Sequence, residues 1–333
     1  MTSKSLILAA AAVSALTAAA PALAQQGAAT GPLSARIGHY DPSRMAHQQH
    51  VHEGAGSMSF GALLGAQALS TNLLFLHRGV IDPHSGIGQH FHNACEEMFV
   101  ILDGDDIQFT INGRTAVLKT PAGAPDRMGN AHGIYNPSDR PVQWLNINVG
   151  LNKNYDNFDL TDDRVGAPLD KIPQFVNFHM DPAMMRPAPA SLNAGGTVTY
   201  RRLLAPQVFM TSWSFFDQID IPAGGKIAPT PDANMSEAYY VNKGAGSVTV
   251  NGETVQIKAG DAIPVDLGVA HSFTQSGNEP LELLVIGVAK DLAAKQAFMA
   301  APPPPFPGGR GGRGAGGGRG GDAGGRGAPP AGR

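Results

Sequence analysis

The stretch that decides the fold is His90-Phe-His-Asn-Ala-Cys-Glu-Glu97, and six residues separate it from Gly104. On an extended strand, side chains two positions apart share a face, so His90 and His92 can point at one spot. Glu97 breaks the parity of the two histidines. A bend in the intervening residues is therefore predicted, so that the carboxylate can face the same interior.

A third histidine, His132, lies further along the chain in Gly-Asn-Ala-His-Gly-Ile-Tyr-Asn. Imidazole and carboxylate donors suit iron, copper, nickel or manganese, and also zinc, better than calcium. The candidate ligands of one divalent transition metal are His90, His92, Glu97 and His132. Four protein ligands leave a position open on a larger coordination sphere, so chemistry is expected there rather than a purely structural role.

This pattern resembles the two motifs of the cupin superfamily. The first motif is matched by His90, His92, Glu97 and Gly104, and the second by Pro121, Gly123, His132 and Asn136. The spacing from Gly123 to His132 is longer than the motif's, which predicts an inserted loop over residues 124–129. The resemblance implies a double-stranded β-helix, the jelly-roll barrel of that superfamily.

The same motif residues recur later in the chain. Glu97 and Gly104 recur 140 residues on as Glu237 and Gly244, while Asn112-Gly113 and His132 recur 139 residues on as Asn251-Gly252 and His271. Each Asn-Gly pair between short apolar runs predicts a type I′ hairpin. The fold class is therefore predicted to be all-β, with two tandem cupin barrels, an arrangement called a bicupin.

The second copy departs from the motif at the metal ligands. Residues 228–237 contain no histidine, and Gln275 replaces the motif's asparagine. Because Glu237 and His271 alone are too few ligands for a tight transition-metal site, we expect a metal-free second barrel that packs its sheet on the first. The alternative is an organic ligand in that second cavity. Such a ligand would lie near Trp213, Met235 and Tyr239.

Composition changes sharply at both ends of the chain. Lys4 precedes an apolar run, and Ala22-Leu-Ala24 offers a cleavage site before Gln25, which is typical of a secretory signal peptide. From Ala301 the chain begins with a run of four prolines, and Arg-Gly-Gly repeats follow. With 14 glycines, this segment has too little apolar surface to fold. We therefore expect export to the periplasm or beyond, no membrane span and a disordered tail.

The predicted organisation has six parts. They are a signal peptide (1–24), an N-terminal segment (25–58), a first barrel with the metal site (59–150), an irregular linker (151–196), a degenerate second barrel (197–300) and a disordered tail (301–333). The N-terminal segment holds His47, His50 and His52. These could bind a second metal or close over the pocket, but without a nearby carboxylate a surface segment is the simpler interpretation.

Charge and cysteine content narrow the possible partners. Between Gln25 and Ala300 there are 18 basic and 26 acidic residues, a balance that argues against a nucleic-acid partner. A single cysteine, Cys95, cannot form an intramolecular disulfide, and a small buried hydrophobe is its simplest role, with a thiol ligand or redox role as the alternative. We expect a small-molecule substrate. Single-barrel cupins pair their barrels by forming dimers, and two linked barrels already provide that pairing within one chain. A homo-oligomer is also compatible with the sequence.

Fold alone does not choose among cupin activities. One intact site in a two-barrel chain resembles the quercetinase-like flavonol dioxygenases of fungi. That resemblance implies an exported, metal-dependent dioxygenase for a small hydroxylated substrate, aromatic or related. Glu97 would act as a ligand and as the acceptor of the substrate's hydroxyl proton. The alternatives are a redox-neutral decarboxylase, lyase or isomerase for a carboxylate or sugar acid, similar to oxalate decarboxylase, and a periplasmic metal- or ligand-binding protein without enzymatic activity.

Overall fold

The computed structural model describes residues 30–195 and 197–301. The predicted signal peptide, and the predicted tail beyond Ala301, lie outside the described residues. The described chain has two α-helices, α1 (Leu33–Arg36) and α2 (Leu292–Ala300). Short 3-10 turns lie at Pro42–Arg44, Val51–Glu53, Pro182–Met184, Ala190–Leu192 and Pro206–Val208.

Strands make up most of the remaining structure. The first eleven are β1 (Gly38–His39), β2 (Ala46–Gln49), β3 (Ser57–Gly65), β4 (Leu73–Ile81), β5 (Ser85–Phe91), β6 (Cys95–Ile101), β7 (Gln108–Ile111), β8 (Arg114–Val117), β9 (Ala122–Asp126), β10 (Ala131–Asn136) and β11 (Val142–Gly150). The other twelve are β12 (Phe158–Asp159), β13 (Phe178–His179), β14 (Arg186–Pro187), β15 (Thr199–Leu204), β16 (Trp213–Ile221), β17 (Lys226–Ile227), β18 (Met235–Lys243), β19 (Ala245–Val250), β20 (Glu253–Lys258), β21 (Asp261–Val265), β22 (His271–Ser276) and β23 (Leu281–Ala289).

These strands form two barrels, each built from a larger and a smaller antiparallel sheet. In the first barrel the sheets run β13-β9-β6-β11-β4-β3-β2 and β12-β5-β10-β7-β8. In the second they run β1-β21-β18-β23-β16-β15-β14 and β17-β22-β19-β20. The prediction of an all-β, two-barrel fold is confirmed.

The repeated hairpins follow from the turn residues. Asn112 and Gly113 join β7 to β8 with φ values of 49° and 72°, and Asn251 and Gly252 join β19 to β20 with 49° and 85°. Asparagine and glycine tolerate this left-handed region, which a type I′ turn requires at both central positions. The same local chemistry therefore starts the same hairpin in both barrels.

The larger sheets pack against each other and bury one face of each barrel. On β6, Met98 and Val100 face this shared core, whereas Phe99 and Ile101 face the interior of the first barrel. From the second barrel, β18 contributes Ala238 and Tyr240 to the shared core. This alternation on both faces of β6 is the one that the sequence predicts, because successive strand residues point to opposite sides.

Polar contacts fix the packing of the two barrels. Glu96 is fully buried, and its carboxylate accepts hydrogen bonds from the backbone N–H groups of Met210 and Thr211, each at 2.7 Å. The Arg78 guanidinium donates to the Tyr240 hydroxyl at 3.0 Å. Since a buried polar group without a partner is costly, these pairs favour one relative placement of the sheets.

The segments before and after the first barrel add short strands to the sheets of both barrels. In the N-terminal segment, β1 pairs with β21 of the second barrel, and β2 pairs with β3 of the first. In residues 151–196, predicted as an irregular linker, β12 pairs with β5 and β13 with β9. This linker therefore runs along the first barrel before β14 joins the second barrel.

Candidate metal centre

Three strands bring the four predicted ligands together. His90 is the last residue but one of β5, and His92 follows the end of that strand. Glu97 lies on β6, and His132 of β10 pairs with His90. The chain bends at Asn93 and Ala94, whose backbone N–H groups donate to the Asp156 carboxylate at 3.0 and 3.1 Å. Asp156 of the linker thus holds the turn that moves the chain from one sheet to the other.

The donor atoms converge on one carboxylate oxygen. Glu97 Oε2 lies 2.6 Å from His92 Nε2, 3.2 Å from His132 Nε2 and 3.4 Å from His90 Nε2. All four donor atoms lie within 4.8 Å of one another, and the four side chains are at most 2% exposed. This geometry could hold a single metal ion.

Each histidine has an acceptor at its other ring nitrogen. His90 Nδ1 lies 2.9 Å from the Gly88 carbonyl, His92 Nδ1 contacts the Asp156 carbonyl, and His132 Nδ1 lies 2.5 Å from Asp126 Oδ2. An acceptor at Nδ1 favours the Nδ1–H tautomer and leaves the Nε2 lone pair free. All three imidazoles are therefore oriented as neutral Nε2 donors.

This donor set fits a cation. Three Nε2 lone pairs and a carboxylate within 4.8 Å would repel one another if nothing positive lay between them. Burial lowers the pKa of His92, but Glu97 outweighs burial and raises that pKa to about 11. Without a metal, a proton on His92 Nε2 would supply this positive charge, and a bound metal ion would take the place of that proton. Borderline nitrogen and oxygen donors match a divalent transition metal.

Asp126 is a site residue that the sequence analysis missed. We predicted an inserted loop over residues 124–129, but β9 continues to Asp126, and the tight turn lies at Arg127–Asn130. The prediction was wrong because Asp126 pairs with Glu97 in the β6–β9 register, which extends the strand. The strand places the Asp126 carboxylate against His132 Nδ1, where it orients the imidazole.

His52 also belongs to the site, contrary to the surface segment predicted for residues 47–52. Its ring stacks on His90 with centroids 3.7 Å apart and 8° between planes, and Asp159 Oδ1 lies 2.6 Å from its Nδ1. His47 and His50 are exposed as predicted. The close approach needs Gly88, because a Cβ there would lie 2.1 Å from the His52 carbonyl oxygen.

The interior wall beside the ligands is polar and incompletely paired. Asn148 lies opposite Glu97 in the β6–β11 register, is fully buried, and has no partner for either amide atom. Asn146 lacks a partner at Oδ1. His77 pairs with Asn146, and burial lowers the pKa of His77 to about 4. Unpaired buried amides are unusual, and these are available to hydrogen-bond a ligand.

Aromatic rings line another part of the same space. Tyr155, from the linker, lies with its ring centroid 5.2 Å from His92 and 5.4 Å from Phe75. Phe75 in turn stacks on His77 at 4.0 Å. No sequence motif marks Tyr155, because it comes from a segment without regular periodicity.

Cys95 is fully buried, as expected for a small apolar residue. Its Sγ lies 3.7 Å from Asp156 Oδ1, and its donor atom also groups with those of His92 and Asp156. The thiol therefore lies on the side of His92 away from Glu97's cluster, next to the turn that Asp156 holds.

Both barrels match one known protein family. The family model described as "Cupin domain" matches the chain twice, at residues 77–148 and 218–287. An oxalate-binding protein of Thermotoga maritima is 32% identical over 91 residues, which are 27% of this chain and 75% of that protein. The chain belongs to the cupin family. With one match in each barrel, it is a bicupin.

Other relatives of this bicupin are more distant. An uncharacterised protein of Methanocaldococcus jannaschii is 29% identical over 84 residues, 25% of this chain and 67% of that protein. Salicylate 1,2-dioxygenase of Pseudaminobacter salicylatoxidans has a TM-score of 0.53 at 15% identity, covering 70% of this chain and 74% of that one. The oxalate decarboxylase of Lactobacillus farciminis, in a formate complex, has a TM-score of 0.53 at 15% identity, covering 76% and 86%. At 15% identity, these two similarities show that the dioxygenase and the decarboxylase share the fold of this chain.

The second barrel of the bicupin has other residues at the ligand positions. Ile227 pairs with Phe273 as Ile87 pairs with Ile134. Counted onwards from these pairs, Thr230 and Asp232 correspond to His90 and His92, although β17 ends at Ile227. Glu237 and His271 are retained, and the Tyr239 hydroxyl contacts both, at 2.6 and 2.8 Å. Within residues 30–195 and 197–301, the groups of three or more convergent His, Cys, Asp or Glu donors both lie in the first barrel.

In the part of the chain that the structure describes, neither helix is long and apolar enough to cross a bilayer.

Proposed function

We propose that this bicupin is an exported, metal-dependent dioxygenase for a small hydroxylated aromatic substrate. The observation that carries the proposal is the cluster of His90, His92, Glu97 and His132 around one carboxylate oxygen, inside a barrel with unpaired amides and aromatic rings beside it. The fold is shared with a salicylate 1,2-dioxygenase, a protein whose name gives a hydroxylated aromatic substrate.

The four donors would hold iron, copper, nickel, manganese or zinc. When bound, such a metal would supply Lewis acidity towards a substrate hydroxyl and, where it is redox-active, the means to use dioxygen. Gly88, Asp126 and Asp156 keep the imidazoles in the tautomer that binding requires. Orientation by such outer partners typically changes metal affinity or activity about 10- to 100-fold.

Glu97 has a second proposed role as proton acceptor. Burial raises its pKa, but the three neighbouring histidines outweigh burial and hold the pKa well below its ordinary value. The carboxylate is therefore ionised at neutral pH, which is the form that a metal ligand or a proton acceptor requires. The Asn148 amide, which lies opposite Glu97 in the strand register, would orient the substrate through its unpaired donor and acceptor atoms.

Oxygen uptake tests this proposal directly. Metal-loaded protein would be assayed with flavonols, gentisate and salicylate, against the Glu97→Gln variant and against Glu279→Gln, an exposed carboxylate elsewhere. We expect substrate-dependent oxygen consumption that Glu97→Gln abolishes with metal retained and that Glu279→Gln leaves intact. Unchanged turnover in metal-loaded Glu97→Gln would exclude the base role, and no uptake with any hydroxylated aromatic would exclude the dioxygenase.

A second candidate is suggested by the oxalate-binding relative. In this alternative the same metal site takes a small dicarboxylate, which is bound or decarboxylated without oxygen. Calorimetric titration of the metal-loaded protein with oxalate, followed by anaerobic assay of carbon dioxide release, separates the alternatives. Oxalate binding without release would favour a binding protein, and anaerobic release would favour a decarboxylase.

Export is part of the proposal and rests on the sequence of residues 1–24 alone. Expression of the full chain in a Gram-negative host should give a periplasmic product whose N-terminal residue, by mass spectrometry, is Gln25. A cytoplasmic product that retains Met1 would contradict export.

A further inference from the structure

The second barrel contains a cavity of about 450 Å³ that the proposed function does not use. Protein sites for small organic ligands typically measure about 300 to 1,000 Å³. Glu237 and His271, the retained ligand-type residues, line this cavity, as do Thr230 and Asp232 at the positions of the lost histidines. The second barrel therefore has an open interior, whereas the first barrel has a compact cluster of donors at the corresponding place.

We infer that this cavity binds a small organic ammonium ion with an apolar body. The first support is Glu237, whose carboxylate is 21% exposed and accepts a hydrogen bond from the Tyr239 hydroxyl at 2.6 Å. Among the described residues its ion-pair contact is His271, at 3.3 Å, with no lysine or arginine. Glu237 thus offers a charged acceptor to the cavity without a permanently charged partner.

The second support is the neutralisation of the cavity's one arginine. Arg202 binds Asp217 through two hydrogen bonds, Nε to Oδ1 at 2.9 Å and Nη2 to Oδ2 at 3.0 Å. The Tyr200 hydroxyl adds a third bond to the same carboxylate at 2.9 Å. Because this pair has no net charge, Arg202 leaves little positive potential for an anionic ligand.

The remaining charges of the lining are negative. Asp232 and Asp266 line the cavity with Glu237. Asp232 is exposed, and the Asp266 carboxylate accepts hydrogen bonds from the backbone N–H and the hydroxyl of Ser70. Carboxylates on low-dielectric walls attract cations and disfavour anions. This balance selects an ammonium group over a carboxylate such as oxalate.

Apolar and aromatic walls would take the body of the ligand. The apolar lining includes Leu192, Phe215, Met235, Val265, Val269 and Phe298. The Arg202 guanidinium carbon lies 4.6 Å from the centroid of Phe215 and 5.4 Å from that of Phe298, so these rings already accept a cation. A ligand with a ring or branched chain would bury its apolar surface here while its ammonium group reaches Glu237.

Calorimetry on the full-length protein tests the inference with matched probes. Benzylamine, cyclohexylamine, butylamine and tryptamine supply an ammonium group on different bodies, while benzyl alcohol and benzoate replace the charge of benzylamine at similar shape. We expect at least one amine to bind with one site per chain, and the neutral and anionic probes to bind about tenfold more weakly or not at all.

Variants locate the binding site. Glu237→Gln should weaken amine binding about tenfold or more, whereas Glu279→Gln, an exposed carboxylate outside the cavity, should leave it unchanged. Thr230→Trp should block binding by filling the cavity mouth. His92→Ala should leave amine binding intact, which separates this site from the metal centre of the first barrel.

The inference has clear contrary outcomes. Absence of binding by all four amines to folded protein, or equal affinity for benzoate and benzylamine, would overturn it. If thermal unfolding shows that Glu237→Gln does not fold, the Thr230→Trp variant tests whether the amine binds in this cavity. Unchanged amine binding in a folded Thr230→Trp variant would overturn the assignment to this cavity.

Discussion

The interiors of the two barrels differ at equivalent positions, although the strands of the larger sheets pair in the same register. The equivalent pairs are His77 and Asp217, Asn146 and Val285, Asn148 and Gly287, His90 and Thr230, and His92 and Asp232. At Gly287 a Cβ would lie 2.2 Å from the Phe215 ring, so that ring occupies space that Asn148 fills in the first barrel. One backbone thus supports either a compact polar centre or an open cavity, because outward-facing residues and turns maintain the barrel.

The largest expected effect is the loss of bound metal from the first barrel, since the metal centre is the main difference between the two barrels. His92→Ala removes one donor and leaves Glu97 with fewer positive neighbours, so we expect bound metal to fall from about one equivalent to none. Elemental mass spectrometry of untagged protein measures this. Two equivalents in the unchanged protein would show that the second barrel also binds metal, and retention of metal in His92→Ala would contradict the assigned cluster.

A large effect on stability is expected at the ion pair of the second barrel. Arg202→Met removes both hydrogen bonds to Asp217, which is 6% exposed, and should lower the free energy of unfolding by about 3 kcal/mol. Adding Asp217→Asn should restore part of the loss, because no charge is then left unpaired. Chemical denaturation measures both values, and a loss below about 0.5 kcal/mol would mean that solvent compensates Asp217.

The equivalent residue in the first barrel should make stability depend on pH. His77 stays neutral in the folded protein down to about pH 4, whereas an unfolded chain protonates near 6.5. Its contribution to stability is therefore complete above pH 6.5 and is lost as the pH falls towards 4, by up to about 3 kcal/mol. Metal-free His77→Gln should show a correspondingly flatter pH profile by denaturation. An identical profile would contradict the burial of a neutral imidazole.

A smaller effect is expected where the N-terminal segment covers the metal centre. His52→Ala removes the ring stacked on His90 and should weaken metal binding about tenfold, as the loss of an outer partner typically does. His47→Ala provides the matched control, since that ring is exposed and distant from the cluster. Competition with a chelator measures both affinities. Equal affinities in the two variants would show that His52 does not position His90.

The smallest expected effect concerns the unpaired amide of Asn148. Asn148→Leu removes two buried atoms that lack partners and should raise the free energy of unfolding by about 1 kcal/mol. If the amide orients substrate, KM should rise while metal content stays unchanged. A drop in stability would instead show that ordered water pairs the amide in the resting protein.

Local patterns in the sequence were sufficient for much of this protein. The clustering of His90, His92, Glu97 and His132 follows from their spacing. The two barrels and their Asn-Gly hairpins follow from patterns that recur 139 or 140 positions later. Strand periodicity decides which side chains share a face, and turn residues decide where strands end. These patterns are local, so they can be recognised without knowledge of the rest of the chain.

Tertiary structure alone decided what surrounds those ligands. Asp126 reaches His132 because β9 continues where a loop was predicted, Asp156 holds the ligand turn from 62 residues away, and Asp159 supports His52 across 107 residues. The cavity of the second barrel likewise depends on side chains from separate strands and loops. Contacts between distant segments leave no periodic trace in a single sequence, because they depend on how strands and linkers pack rather than on neighbouring residues.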